Sequence, residues 1–312
     1  MSVLVILPVE SELGSASLKL LNCAQQVGDS ITVLAHGESC AADYVSSLEK
    51  VDKVDSILYS AYSQEPMAFS RLLHELVKEY AFNAVLAADV HLSQATLPRL
   101  AALLDVGQVS NITKVVNATT FEHPIYAGNV IETVEVLDNI LVATVRCSAF
   151  DIALPANEST SIEPKTLTAE TSSSAVVEIV EHIVSDSTSL DVSSSKWVVG
   201  IGRGASEPSV YTSLSQFAGS QGFAIGGTRA VIDSGLMPND KQIGQTGKVI
   251  APDIYLAFGI SGAIQHLAGI SQSKKIFAIN SDADAPILNV ADVAYTGKVE
   301  DVIPELEALL AK

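Results

Sequence analysis

Basic residues, cysteines and aromatic residues are all scarce in this sequence of 312 residues. Its 18 Lys and Arg stand against 36 Asp and Glu, which gives a formal net charge of −18 at pH 7. Such a surplus of negative charge repels nucleic acid and anionic membranes, so neither is expected as a partner. The three cysteines, Cys23, Cys40 and Cys147, form no CxxC pair, and the sequence therefore predicts neither a disulfide framework nor a zinc site.

Long apolar runs and metal-binding motifs are also missing. No stretch reaches the roughly 18 uninterrupted apolar residues that a membrane span needs, so no membrane insertion is expected. The opening MSVLVILPVE shows neither a basic segment before a long apolar one nor an Arg/Ser-rich presequence. No HExxH and no metal-spaced His/Cys cluster occurs, so no metal site is predicted. These absences favour a bacterial cytoplasmic protein; a mitochondrial matrix location would require that a transit peptide had been removed.

Aliphatic residues, in contrast, are abundant and follow alternating strand and helix patterns. The sequence is 48% hydrophobic with only 5% aromatic residues, which is enough for a large aliphatic core. Short β-branched runs at 2–9, 31–37, 54–60 and 82–89 are typical of strands covered on both faces. Segments with helical spacing lie between them, and this alternation predicts a parallel sheet with right-handed crossovers. The N-terminal region is therefore predicted to be a nucleotide-binding-like α/β domain.

The pattern changes after residue 107. TKVVNATTFEHPIYAGN, VIETVEVLDN and ILVATVRCSAF predict antiparallel strands added to the same domain, and STSIEPKTLTAE is a further candidate strand. A Ser-rich segment follows, and we place an interdomain linker in it at 189–196, between an N-terminal domain 1–188 and a C-terminal domain 197–312. Strands at WVVGIG, AIGGTRAV, IYLAFGI and KIFAINS alternate with helical segments, which predicts a second α/β domain of the doubly wound type.

Three familiar glycine motifs are present only in part. GIGRGASE follows a strand like a dinucleotide fingerprint, with the tolerated Ala205 in place of the third Gly, but the acidic residue expected about twenty positions later is missing. GQTGKV lacks a P-loop's first Gly and its Ser/Thr, where Gln242 and Val249 stand. GISGA has Ala263 in place of the second Gly of a nucleophile elbow, which disfavours a hydrolase. A plain strand-to-helix turn remains an alternative explanation for the first motif.

A set of polar residues in the C-terminal domain is the strongest candidate for a site. Its members follow strands or interrupt apolar segments, and they are Arg203, Arg229, Gln242, Gln245, Thr246, Ser261, Gln265, His266 and Asn280. Open α/β sheets bind ligands at the carboxyl ends of their strands, where most of these residues are predicted to lie. The alternative for each single residue is a cap, a turn or a satisfied polar group of the core.

The stretch IYLAFGISGAIQHLAGI contains the most informative part of this set. It predicts a buried strand, a turn at Ser261 and Gly262 with Ser261 as the N-cap, and a helix that follows. The free amides and the partial positive charge of the helix start suit an anion such as a pyrophosphate, and Gly262 would let that anion approach the backbone. Gln265 and His266, one turn further, would reach the rest of the ligand.

The same stretch closely resembles the signature segment of the α subunit of electron transfer flavoprotein. The resemblance continues through GTRAVIDSGLMPNDKQIGQTGKVIAPD and DADAPILNVAD, and includes LPRLAALLDVGQVSNI, HPIYAGN and TVRCSAF in the first domain. It implies an αβ heterodimer with one FAD, bound chiefly by the C-terminal domain of this chain, while the N-terminal domain packs on the β subunit. The implied role is to carry single electrons from flavoprotein dehydrogenases, such as those of fatty acid oxidation, to a membrane quinone oxidoreductase, without substrate turnover. The resemblance leaves open whether the partner subunit carries AMP or a second flavin.

The resemblance also implies a role for individual residues. Ser261 and Gly262 would hold the pyrophosphate, Gln265 the ribityl or phosphate side and Asn280 the adenosine. Arg229, Thr246 and His266 would tune the redox potential, with Arg229 over the ring, Thr246 near N5 and His266 donating to the C2 carbonyl, where added negative charge has to be stabilised. The implied FAD-binding residues are Arg203, Thr228, Arg229, Gln242, Ile243, Gly244, Gln245, Thr246, Ser261, Gly262, Ala263, Ile264, Gln265, His266 and Asn280.

Two positions depart from the family pattern, and other functions compete with electron transfer. Ser281 replaces a frequent Lys, and Lys298 stands where an Asp near the adenosine is common, so the departures concern the adenosine side. Bifurcating and nitrogen-fixation-linked relatives share the same motifs. A nucleotide- or acyl-CoA-binding subunit without flavin is a further alternative, and flavin absorbance of the purified complex would distinguish it. A hydrolytic centre at Ser261 has no visible His/Asp relay.

Overall fold

The computed structural model describes residues 1–10, 13–37, 42–61, 65–157, 161–167 and 190–310. The chain divides into two compact units, Met1–Ile183 and Val184–Lys312. Cys40 and residues 184–189 of the Ser-rich segment 184–197 lie outside the described residues. The predicted domain boundaries and the linker at 189–196 stay predictions.

The N-terminal unit is built on a seven-stranded sheet with the strand order β10-β3-β2-β1-β4-β9-β5, in which every pair is parallel. Its described strands are β1 (Ser2–Pro8), β2 (Ser30–His36), β3 (Val54–Ser60), β4 (Ala84–Ala88), β5 (Gln108–Ile112), β6 (Lys114–Asn117), β7 (Thr120–Ile125), β8 (Val130–Glu135), β9 (Leu141–Val145) and β10 (Lys165–Thr166). Its described helices are α1 (Ser15–Val27), α2 (Ala42–Leu48), α3 (Pro66–Tyr80) and α4 (His91–Leu104). The predicted parallel α/β architecture is confirmed.

Alternating side chains of the central strand β1 pack into two separate cores, one on each face of the sheet. Val3, Val5 and Leu7 belong to one core, and Leu4 and Ile6 belong to the other. All five are nearly or fully buried, which explains why the strand reads as a continuous apolar run.

The antiparallel addition is smaller than the sequence predicted. β6, β7 and β8 form an antiparallel three-stranded sheet, as expected. The prediction that ILVATVRCSAF is a further antiparallel strand is wrong, because β9 lies between β4 and β5 in the large sheet and runs parallel to both. All five residues of β9 are buried, which is typical of a strand covered on both faces rather than of an exposed hairpin. The candidate strand in STSIEPKTLTAE corresponds to the two-residue β10, parallel to β3.

The C-terminal unit is a five-stranded parallel sheet with the order β12-β11-β13-β14-β15, which confirms the doubly wound type. Its described strands are β11 (Trp197–Ile201), β12 (Ala224–Gly227), β13 (Ile254–Phe258), β14 (Lys275–Asn280) and β15 (Val293–Thr296). Its described helices are α5 (Pro208–Gln221), α6 (Arg229–Asp233), α7 (Ile264–Ile270), α8 (Ile287–Val290) and α9 (Val299–Leu310). One core packs β11 and β13 against α5 and α9, and the other packs them against α7 and α8.

Residues just before β11 are attached to the C-terminal unit. Val192 is fully buried in its core. The Lys248 ammonium donates to the Asp191 carboxylate at 2.7 Å, and the buried Lys241 donates to the Leu190 carbonyl at 3.0 Å. The Ser-rich composition of the region therefore does not prevent part of it from packing.

Within the described residues no helix is long and apolar enough to cross a membrane, and no cluster of His, Cys, Asp and Glu that could hold a metal ion is found. Cys23 is buried and Cys147 partly buried, and both are free thiols. Burial is the main cause that raises the pKa of Cys147 to about 12, and it also raises the pKa of Cys23. Neither thiol is therefore a reactive thiolate at neutral pH.

Candidate functional site

The strand order of the C-terminal unit brings the predicted polar residues to one edge of its sheet. Because all five strands are parallel, the segments that follow them meet at the same carboxyl edge. From β11 the chain first adds β12 on one side of that strand. It then crosses to the other side of β11, where β13, β14 and β15 follow in order. The crevice between β11 and β13 is therefore the topological switch point, where open α/β sheets of this order bind their ligands.

The glycine-rich turn after β11 is explained by close packing between two turns at this switch point. A side chain at Gly202 would come within 2.2 Å of the Gly259 carbonyl oxygen, and the Gly204 amide donates to that oxygen at 3.0 Å. Gly259 itself has a φ of +62°. Gly202 and Gly204 are thus required by backbone contact, and the plain strand-to-helix turn accounts for this motif without a phosphate.

The turn after β13 differs from the prediction in its cap. Helix α7 begins at Ile264 with Ala263 at the N-cap position, so the prediction of Ser261 as N-cap is wrong. Gly262 has a φ of +85°, and a Cβ there would lie 2.4 Å from the Ile287 amide nitrogen. The close approach at Gly262 is therefore to the protein's own backbone. Ser261, Ala263, Ile264 and Gln265 remain exposed at the sheet edge.

The loop 242–248 is held against the start of α7. The Gln245 amide donates to the Gln265 carbonyl at 2.8 Å, and Gly269 packs against the backbone of Gly244, where a Cβ would meet the Gly244 Cα at 2.5 Å. Gly244 has a φ of +146°, which favours glycine. The structure thus brings the QIGQTG loop and the SGAIQH segment together, although they lie on separate segments of the chain.

Within this loop, the Gln242 side chain is buried and the Thr246 side chain is exposed. The Gln242 amide Nε2 donates to the Thr246 Oγ1 at 2.8 Å. A hydroxyl that accepts one hydrogen bond keeps its own proton to donate. Thr246 is therefore oriented from inside the protein, with its O–H available at the surface of the site.

His266 lies in the core behind the loop, with 5% of its surface exposed. Its Nδ1 is 3.1 Å from the Ile243 carbonyl, which can only accept, so this nitrogen carries the proton. Its Nε2, 2.9 Å from the Tyr255 hydroxyl, then accepts from that hydroxyl. Both ring nitrogens are thus bonded within the protein, and the donation of His266 to a flavin carbonyl stays a prediction that would require an exchange of partners.

The environment of His266 keeps its ring neutral. Burial lowers the pKa of His266 to about 4, and the hydrogen bond to the Ile243 carbonyl opposes this shift only in part. The partner hydroxyl is also fully buried, which raises the pKa of Tyr255. The neutral hydrogen-bonded chain Tyr255–His266–Ile243 therefore connects β13 to the loop through α7.

Two exposed arginines and a threonine follow the first two strands of the sheet. Arg203 directly follows the β11 turn, and Thr228 and Arg229 follow β12. The Arg229 side chain is 72% exposed, and its Nε lies 3.5 Å from a carboxylate oxygen of Asp233 one helical turn later. An exposed pair of this kind is weak, so the guanidinium can turn toward a ligand at small cost.

The residues expected near the adenosine differ in their burial and in their hydrogen bonds within the protein. Asn280 is buried; its Nδ2 donates to the Ile260 carbonyl at 2.7 Å, and its Oδ1 accepts from the Asp282 amide at 3.0 Å. Ser281 and Lys298, where the sequence departs from the family pattern, are both exposed at the same edge. The Asn280 side chain thus links the turn after β13 to the turn after β14. Its contact with adenosine stays a prediction.

Comparison with known proteins identifies the family. Residues 3–182 match the family described as "Electron transfer flavoprotein domain", and residues 191–271 match "Electron transfer flavoprotein FAD-binding domain". The chain is 41% identical over 298 residues to the "Electron transfer flavoprotein subunit alpha" of Pseudomonas aeruginosa, with 95% of each chain covered. It is 39% identical to the subunit of the same name from Paracoccus denitrificans, covering 95% of this chain and 94% of that one. The chain belongs to the electron transfer flavoprotein α-subunit family.

A further relative comes from a eukaryote. The "Probable electron transfer flavoprotein subunit alpha, mitochondrial" of Schizosaccharomyces pombe is 39% identical over 318 residues, which cover 98% of this chain and 91% of that one. As an α subunit of electron transfer flavoprotein, the chain is an electron carrier that binds FAD, and its family implies a β subunit as partner.

The donors at the sheet edge fit FAD chemically. Two guanidinium groups suit a doubly charged pyrophosphate, and hydroxyl and amide donors from Thr246, Ser261 and Gln265 suit phosphate and flavin carbonyl oxygens. These side chains are exposed at the sheet edge. The matched FAD-binding domain contains most of this edge.

Sequence reasoning missed two residues that support the site. In the sequence, Tyr255 is only one residue of an apolar strand. A buried Tyr nevertheless needs a partner for its hydroxyl, and His266 supplies it. The Tyr255 hydroxyl occupies the space of a side chain at Gly200, where a Cβ would be only 1.9 Å away. Gly269, the last residue but one of α7, is a second such signal, because a glycine inside a helix often marks a close backbone contact.

Proposed function

We propose that this electron transfer flavoprotein α subunit, with its β partner, carries single electrons from flavoprotein dehydrogenases, such as acyl-CoA dehydrogenases, to a membrane quinone oxidoreductase. The observation that supports it best is the pairing of the QIGQTG loop with the SGAIQH segment at the switch point of a doubly wound sheet. Bound FAD would supply the one-electron chemistry. The location that we propose is the bacterial cytoplasm, in line with the bacterial relatives.

We assign the binding of FAD to the fifteen residues that the family resemblance implies, and divide their roles by exposure. Ser261 and Gln265 are exposed beside the free amides that open α7, so they would hold the phosphate and ribityl part. Arg203 and Thr228 follow the neighbouring strands and would complete this side. Gly262, Ala263 and Ile264 would contribute backbone rather than side-chain contacts.

The loop 242–248 would border the flavin ring. Thr246 keeps a donor proton because Gln242 donates to its oxygen, so a single hydroxyl can be presented in a fixed direction. Ile243, Gly244 and Gln245 would provide the backbone next to it. Since the ring has to accept an electron without moving, a loop bonded to α7 is a suitable support.

Positive charge at the ring would come from Arg229. In a chain with a net charge of −18, an adjacent guanidinium opposes the local negative potential that would otherwise disfavour reduction. The weak pair with Asp233 leaves Arg229 able to serve this purpose.

His266 would act on the ring through the loop. Its Nδ1–H holds the Ile243 carbonyl, and the next residues of the loop include Thr246. His266 would affect the ring more strongly through a direct hydrogen bond to the C2 carbonyl. For that, Nε2 would have to lose its hydrogen bond with the Tyr255 hydroxyl and carry the proton. In either form, its loss should change the redox potential and the stability together.

The test is a redox titration of the FAD-loaded αβ complex. Arg229→Gln should retain FAD and lower the potential for the first electron by roughly 20–40 mV, the equivalent of an exposed charge interaction of up to about 1 kcal/mol. Lys275→Gln is the matched control, because it also removes an exposed positive charge but at the amino end of β14. Equal potentials for the two variants would remove Arg229 from the ring, and a complex without flavin absorbance would refute the proposed function.

A further inference from the structure

The N-terminal unit contains a cavity of about 200 Å³ that plays no part in the function proposed above. The cavity lies where β1, β2 and β4 end at Pro8, His36 and Ala88. The strand order runs from β1 to β2 and β3 on one side and from β1 to β4 on the other. This edge is therefore the topological switch point of the N-terminal sheet, the position at which open α/β sheets bind ligands.

The cavity has apolar walls and two polar groups without a satisfying partner. Ile6, Phe69 and Leu97 contribute apolar walls. Thr96 is 1% exposed, and its Oγ1 has no hydrogen-bond partner among the described residues. His36 is 9% exposed and packs against the Phe69 ring, with the two centroids 5.4 Å apart; no hydrogen bond to its ring is found in the described part of the chain. Buried polar groups are normally paired, so the Thr96 hydroxyl lacks a partner that a ligand could supply.

His266 of the C-terminal unit provides a comparison for His36. Burial lowers the pKa of both histidines, so both rings are neutral at pH 7. Both nitrogens of His266 are bonded within the protein. His36, at the same edge of a similar sheet, still has one donor and one acceptor to offer to a ligand.

The lining of the cavity offers no positive charge to a phosphate group. His36 is the only ionisable side chain among the described residues that line it. At the start of α1, where related folds bind phosphate, a carboxylate oxygen of Glu10 already lies over Gly14, 2.6 Å from the position that a Cβ would take. A phosphate at the start of α1 would be repelled by this carboxylate.

We propose that this cavity binds a small, uncharged nitrogen heterocycle of about nucleobase size. The apolar walls would take its ring, and Thr96 and His36 would bond its nitrogen atoms. A dry cavity of about 150 Å³ holds a benzene molecule, so the larger volume here leaves room for a bicyclic ring. The free base or a nucleoside would be suitable, whereas a nucleotide would not.

The first test uses benzimidazole, a bicyclic heterocycle that is uncharged at pH 8, as the probe. It is titrated calorimetrically into the FAD-loaded complex of the full chain with its β subunit, and saturable binding of one probe per α subunit is expected. Thr96→Val keeps the side-chain shape and removes the hydroxyl, so it should weaken binding roughly fivefold to tenfold, the usual worth of one neutral hydrogen bond. Indene, which has the same shape without nitrogen, should bind equally to both proteins.

Two further variants locate the binding. Ser215→Ala also removes a buried hydroxyl without a described partner, but in the C-terminal unit, and it should leave benzimidazole binding unchanged. Ala88→Leu fills the cavity from β4 and should abolish binding, with an unchanged flavin spectrum as the check of folding. No saturable binding by the wild-type complex, or binding that Thr96→Val leaves unchanged, would overturn the proposal. Neither result would affect the FAD site, whose own test is the redox titration.

Discussion

In the N-terminal unit the carboxyl edge at the switch point forms a cavity lined by apolar side chains around His36 and Thr96, and a carboxylate covers the start of α1. In the C-terminal unit the equivalent edge exposes Arg203 and Arg229 together with hydroxyl and amide donors. Both sheets are parallel and both are doubly wound. The comparison teaches that the fold supplies the position of a site, while the side chains that follow the strands decide which ligand it accepts.

The largest expected effect on the C-terminal edge comes from Gly262→Ala. The substitution combines a left-handed backbone, φ +85°, with a contact of 2.4 Å to the Ile287 amide nitrogen. We expect it to lower the free energy of unfolding by about 2–4 kcal/mol and to reduce FAD content. Urea unfolding followed by the fluorescence of Trp197, the single tryptophan, reports on this unit.

Two other glycines of the same unit separate the causes. Gly235→Ala introduces backbone strain without a steric contact, because Gly235 has a φ of +77° and open space around it. It should lower the free energy of unfolding by about 1 kcal/mol. Gly219→Ala lies inside α5 with neither strain nor contact, and should stabilise by about 0.5–1 kcal/mol. A Gly262→Ala variant no less stable than Gly235→Ala would show that the turn at Ile287 yields without cost.

The buried histidine of the C-terminal unit predicts a loss of stability in mild acid. The pKa of His266 is lowered to about 4 in the folded protein, against an ordinary value of 6.5. The unfolded chain binds the proton more readily than the folded protein does. The stability contributed by neutral His266 is therefore fully present above about pH 6.5 and is lost as the pH falls to about 4. The total loss is about 3 kcal/mol.

The measurement for this prediction is the urea midpoint as a function of pH. His266→Gln should remove this part of the pH dependence, whatever its effect on stability at pH 7. His91→Gln, an exposed histidine of the N-terminal unit, is the control and should leave the profile unchanged. The prediction fails if wild type and His266→Gln lose stability in parallel between pH 6.5 and pH 4.

Tyr255→Phe should have a moderate effect. The substitution removes the hydroxyl that donates to His266 Nε2 at 2.9 Å and leaves a buried nitrogen without a donor, at a cost of about 1–2 kcal/mol. Tyr295→Phe, an exposed tyrosine in β15 of the same unit, should change stability by less than about 0.5 kcal/mol. Thermal unfolding of the two variants compares them directly, and equal melting temperatures would contradict the role of the hydrogen-bonded chain.

The smallest effect is expected at the Asp191–Lys248 pair, which lies just before β11. Partial burial acts to raise the pKa of Asp191, but the hydrogen bonds from Lys248 and Ser193 and the positive charge of Lys248 outweigh it, so the pKa is lowered. The stabilisation is therefore present above the ordinary carboxyl pKa and lost as the pH falls through the lowered one.

A double-mutant cycle with Asp191→Asn and Lys248→Met should give a coupling of at most about 1 kcal/mol, because both side chains are partly exposed. The cycle also tests the proposed domain boundary. A measurable coupling supports a C-terminal unit that begins before residue 197, and no coupling supports a linker that extends up to β11.

The sequence predicted most of the fold because its strands are short and strongly apolar. VDSILYS predicted β3 at its observed bounds, and the family motifs predicted the FAD-binding domain. ILVATVRCSAF was misassigned because periodicity reports how much of a strand is buried, whereas its direction and neighbours depend on where the chain returns to the sheet. The N-cap was misplaced by two residues because Gly262 and the contact with Ile287 delay the start of α7.

By itself, the sequence determined the fold class, the family and the residues that gather at the C-terminal edge, since local propensity and a contiguous motif carry that information. Only the tertiary structure decided what those residues contact. It placed His266 between Tyr255 and Ile243, and it left Thr96 buried without a described partner. The physical reason is that a hydrogen bond needs two groups at a fixed distance, and side chains far apart in sequence reach that distance only when the sheets have packed.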